Sequence, residues 1–71
     1  MVRYLIVIEE TSSGFSSYSP DVPGCVSTGQ TRADVELRMR EAITAHLDEL
    51  REGGGPPPRP ISTAAYIEVA A

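Results

Sequence analysis

Seventy-one residues make one domain, 1–71, and ten acidic against six basic side chains give it a net charge of −4. All six basic residues are arginines, spread from Arg3 to Arg59, so there is no basic stripe for phosphate and direct binding of DNA or RNA is not expected. A single cysteine, Cys25, excludes an internal disulfide, a single histidine, His46, argues against a metal cluster, and no run approaches the ~20 apolar residues of a membrane span.

Val2–Glu9 (VRYLIVIE) is β-branched and aromatic, and predicts a strand. It is apolar on both faces, with Val2, Tyr4, Ile6 and Ile8 on one and Leu5 and Val7 on the other. A strand of that kind is covered on both sides. Acidic residues follow the short apolar run at once, so it is not a signal peptide, and with one unpaired cysteine the chain reads as cytoplasmic. Glu10–Gly14 is a turn, and Phe15–Ser19 a second, more polar strand. Pro20-Asp21-Val22-Pro23-Gly24 is a stiff corner, with Gly24 suited to a type II-like turn and Asp21 to local hydrogen bonds. Cys25–Thr28 is a short third strand.

Thr31 is placed to cap a helix, with Asp34 three residues on in the manner of a capping box. Val35, Met39, Ala42, Ile43, His46, Leu47 and Leu50 recur at steps of three and four and form its apolar stripe. Glu36 and Arg40 are spaced as an i,i+4 ion pair. Gly53–Gly55 end the helix, Pro56–Pro60 make a stiff crossover, and Ala64–Ala70 (AAYIEVA) reads as a last strand. The expected fold is a single α+β domain in the order β-β-β-α-β. One helix covers one face of such a sheet, so the remaining apolar face or edge marks a site for self-association.

The ordered set of Tyr4–Glu10, Gly14-Phe15, Pro20–Cys25, Gly29–Thr31, Glu41–Leu50 and Gly53–Pro60 resembles the HicB-like antitoxin family of bacterial toxin–antitoxin systems, over nearly the whole chain. That resemblance implies a partial ribonuclease H-like sheet with a helix packed on it, and a homo-oligomer, dimer or tetramer. It also implies a small basic partner, a HicA-type toxin that cleaves mRNA through a histidine and is occluded by the antitoxin. Many members continue into a helix-turn-helix or ribbon-helix-helix domain; after Ala71 there is no room for one here, so no operator binding is expected.

Exposure and charge nominate Glu9, Glu10, Phe15, Tyr18 and Asp21 on the hairpin side, and Glu41, Asp48 and Glu49 on the helix, as partner contacts. A second expectation is an oligomeric module that binds a small ligand or another protein without a toxin. A nuclease would need several carboxylates to converge on metal ions. Glu9 and Glu10 point to opposite faces, Asp34 is in a cap position and Asp21 is in a turn, so no catalytic, cofactor or metal residue is assigned. Cys25 reads as a small buried thiol rather than a nucleophile, and His46 as a core-rim side chain bonded through one nitrogen.

Overall fold

The structure is a computed structural model that describes residues 1–71. Three strands form one antiparallel sheet in the order β1 (Val7–Thr11), β2 (Gly14–Tyr18), β3 (Val26–Gly29), and the helix α1 (Arg32–Glu52) follows. Ser12 and Ser13 turn β1 into β2, with Val7 opposite Tyr18 and Thr11 opposite Gly14. Phe15 lies opposite Gly29 and Tyr18 opposite Val26 across the second pair. At Gly14 a side chain is forbidden by contact, because a Cβ there would run into the Gly29 carbonyl oxygen.

Strand alternation assigns the faces. Ile8, Glu10, Phe15, Ser17 and Ser27 point toward α1, while Val7, Glu9, Ser16, Tyr18 and Val26 point away from it. The helix packs on β3 and β2. A hydroxyl relay ties these layers together. Ser27 Oγ donates to the Val35 carbonyl at 3.1 Å, so the 2.8 Å bond between Ser17 and Ser27 takes its proton from Ser17. That arrangement satisfies Ser17, which is buried, and lets a serine occupy a position where an unpaired hydroxyl would be costly.

Val22, Val35 and Met39 are fully buried and, with Cys25, make up the core. Tyr4, Ile6 and Ile43 pack against it. Val22 reaches the core because the corner folds as two successive turns, closed by Val22 N–H to the Ser19 carbonyl and Cys25 N–H to the Val22 carbonyl, both 3.3 Å. Pro23 and Gly24, the latter at φ 89°, fit the central positions of a type II turn. Thr31 caps the helix by accepting the Asp34 N–H at 3.1 Å. Only this half of the capping box forms. Val35, Met39, Ala42, Ile43, His46, Leu47 and Leu50 are the buried and half-buried side of α1, as their spacing predicts.

Four local expectations are corrected. The first strand begins at Val7, not Val2. Its ladder stops where Ser19 meets Pro20, which has no N–H to give; the Ser19 hydroxyl instead bonds the Leu5 carbonyl at 2.8 Å. The expected last strand at 64–70 does not form within the chain. Residues 63–71 are all exposed, and no backbone–backbone hydrogen bond reaches beyond Gly55, so the element order of the single chain is β-β-β-α. The Glu36–Arg40 pair is not made; the ion pair present is Arg51 to Asp48 at 3.5 Å, on the solvent side. Asp21 bonds over a long range rather than locally, as described next.

Candidate interaction surface

The segment after α1 is fastened to the sheet side at two points. Tyr4 donates its hydroxyl proton to the Pro58 carbonyl at 2.7 Å. The Asp21 carboxylate accepts the Ser62 N–H at 2.9 Å through one oxygen and the Ser62 hydroxyl at 2.8 Å through the other. Asp21 is therefore occupied within the fold, and its half-buried carboxylate is not presented as a free contact.

The other nominated residues fall on three separate surfaces. Glu9 and Tyr18 lie on the sheet face that α1 does not cover. Glu10 and Phe15 lie on the opposite face toward the hairpin tip, where half-buried Phe15 lines an open polar groove with Asp34 and Arg38. Glu41 and Asp48, seven residues apart, project from the outer side of the helix, with Glu49 beside them; all three are exposed. The structure does not gather the eight into one patch.

The uncovered sheet face has the character of a contact surface. Val7, Tyr18 and Val26 stand in one row across the three strands. Tyr18 is 43% exposed and Val26 66%, in a domain whose fully buried side chains number only three of the large ones. Glu9 flanks the row, next to Val7 on the same side of β1 by alternation. Val26 was not nominated from sequence. The signal for it was present, because Cys25 and Ser27 point inward and the intervening valine must then point out.

The remaining polar groups are quiet. Cys25 is buried, with its thiol 3.8 Å from the Ala42 carbonyl, and burial, helped by the charge of Glu49, pushes the thiol above its ordinary range. A thiol held protonated is a poor nucleophile. His46 is half-buried and makes no hydrogen bond, in contrast to the one-nitrogen bond expected of it. No three His, Cys, Asp or Glu side chains come close enough to hold a metal ion, and no helix is long and apolar enough to cross a membrane.

Residues 4–70 match the family described as the HicB_like antitoxin of bacterial toxin–antitoxin system. A solved structure, titled HicA3 and HicB3 toxin-antitoxin complex, contains a chain that superposes with a TM-score of 0.68 at 38% identity, covering 84% of this chain and 70% of that one. An uncharacterised 14.9 kDa protein from the rep-hol intergenic region of Haemophilus phage HP1 is 36% identical over 64 residues, 90% of this chain and 48% of the relative. The chain thus spans about half the length of that phage protein. The UPF0150 protein Ta0767 of Thermoplasma acidophilum is 27% identical over 59 residues, 82% of this chain and 86% of its own.

Proposed function

The chain belongs to the HicB-like antitoxins of bacterial toxin–antitoxin systems, and from that premise we propose that it binds and sterically neutralises a small HicA-type toxin that cleaves mRNA. The observation that carries the proposal is the 38% identity, over 84% of this chain, to a chain of a toxin–antitoxin complex. The protein acts by contact and has no chemistry of its own. Its net charge of −4 complements a basic, RNA-binding toxin and speeds encounter with it.

Within this reading the uncovered sheet face seats the toxin, with Tyr18 and Val26 as apolar anchors and Glu9 as the charged flank. Buried aromatic anchors carry most of the energy of such interfaces, while peripheral charges act chiefly on association rate. Glu41, Asp48 and Glu49 on the helix, with Glu10 on the helix side of the hairpin, then contribute to the field that draws the toxin in, while Phe15 lies on the opposite face, outside this contact. The antitoxin works as a homo-oligomer.

The test is a tagged pull-down from the native host, followed by an RNA-cleavage assay. The expected result is a small basic protein recovered at fixed stoichiometry, whose cleavage of RNA is abolished by an equivalent of this chain. Recovery of this chain alone, or cleavage that persists with the chain in excess, would overturn the proposal.

A further inference from the structure

The strand-like sequence of residues 64–70 has no partner in its own chain. Tyr66, Ile67 and Val69 are 106%, 82% and 73% exposed. The molecule measures 49 Å along its longest axis, whereas a helix of 21 residues accounts for roughly 30 Å of length. The tail therefore runs out beyond the body. Its root cannot swing freely, because the Asp21–Ser62 and Tyr4–Pro58 bonds fix where it leaves.

One edge of the sheet is open in a matching way. Leu5 turns its carbonyl inward to Ser19, and Val7 pairs with Tyr18. By strand alternation the backbone groups of Ile8 and Glu10 then point outward from the free edge of β1, whose only ladder partner is β2. No hydrogen bond engages them. The other edge is already blunted. It is four residues long, and Arg38 donates to the Thr28 carbonyl there at 2.9 Å.

We propose that the tail of one copy, residues 64–70, adds as a strand to the open β1 edge of a second copy, and that the exchange is reciprocal. Each copy supplies one unpaired strand and one unpaired edge, so a two-fold arrangement closes with both satisfied and nothing left to propagate. Ile67 and Val69 share one face of the added strand and continue the apolar surface of Leu5 and Val7 or of Tyr4 and Ile6. The added strand joins at a sheet edge, by backbone pairing, so the inference stands whether or not a toxin is the partner.

The experiment uses the full chain and its variant Tyr66→Pro/Ile67→Pro. Adjacent strand residues turn their N–H groups to opposite sides, so the double change removes a ladder donor in either register. Both side chains are exposed in the single chain, so the helical circular dichroism signal and the melting of the body should be unchanged in the variant. Light scattering should give an even multiple of the 7.6 kDa protomer for the parent and at most half that mass for the variant. Isotope-filtered NOEs in a mixture of labelled and unlabelled chains should connect Ile67 and Val69 of one copy to Tyr4–Ile8 of the other. A monomeric parent, a variant of undiminished mass, or NOEs that run tail to tail or stay within one chain would each overturn the proposal.

Discussion

Asp21 and Ser62 lie 41 residues apart in the chain and are joined by two hydrogen bonds, one to the Ser62 amide and one to its hydroxyl. This clamp connects the proline corner, laid down before the helix, to the segment that follows it. The corner therefore has two duties. It delivers Val22 to the core on one side of the turn and anchors the returning chain on the other.

Removing the clamp should release the tail root without dissolving the core. Asp21→Ala leaves the Ser62 amide and hydroxyl to water, and hydrogen bonds to a charged group at a half-buried site are worth about 1–2 kcal/mol. A drop of that size in the urea-unfolding free energy, with faster hydrogen exchange at the Ser62 amide, is the expected outcome. Unchanged exchange at Ser62 would show that the clamp does not hold in solution.

Gly14→Ala should be costlier than Gly24→Ala. At Gly14 a Cβ meets the Gly29 carbonyl oxygen, and relieving that clash means parting β2 from β3, at about 1–3 kcal/mol. At Gly24 nothing lies within 4 Å of an added Cβ, so only the positive φ is strained, at about 1 kcal/mol. Thermal melts of the two variants should show the larger fall for Gly14.

Cys25 should make stability fall at alkaline pH. Its thiol is raised above the ordinary range in the fold, so below the unfolded value of about 8.5 both states hold the proton and the full stability is present. As pH rises past that value the unfolded chain loses its proton first, binds fewer protons than the native state, and gains in relative stability. The decline levels off only once the folded thiol also ionises. Comparison of denaturation profiles for the parent and Cys25→Ala, between neutral pH and the alkaline range, isolates this contribution. Parallel profiles would contradict it. For the same reason, thiol labelling of the native protein should be slow and should accelerate on unfolding.

Tyr18→Ala and Val26→Asp should leave the fold within about 0.5 kcal/mol of the parent, since both side chains are exposed and lie away from the core. Each should weaken partner binding at least tenfold, about 1.4 kcal/mol. Calorimetry against the captured partner reads this directly, and charge reversal at Glu41 and Asp48 serves as the contrast, lowering the association rate more than it raises the dissociation rate. Equal affinity for the parent and Tyr18→Ala would move the contact off the sheet face.

What the sequence made legible were features set by neighbours a few residues away. The Thr31 cap, the stripe from Val35 to Leu50 and the Gly24 turn all follow from local geometry. Three of the corrections depend on distant partners. The length of β1 was overestimated because Val2–Ile6 has strand-forming residues but faces Pro20 across the would-be ladder. The tail at 64–70 has the composition of a strand, yet a strand is defined by what it pairs with, and within the chain it pairs with nothing. Asp21 looked like an ordinary turn residue because no local pattern announces a partner as far off as Ser62. The candidate surface suffered likewise: charge and exposure picked Tyr18 and Glu9 individually, but only the strand register aligned Val7, Tyr18 and Val26 into a row.

The absence of any backbone hydrogen bond beyond Gly55 has a bearing on timing. The hairpin, the corner and the helix are linked mostly by contacts between segments adjacent in sequence, the kind that form quickly because little chain has to be closed off first. The hydrogen-bonded body can form before residues 56–71 pair with anything. Whatever the tail then does is a second, slower event, and its rate depends on how much of the protein is present rather than on how fast any one molecule folds.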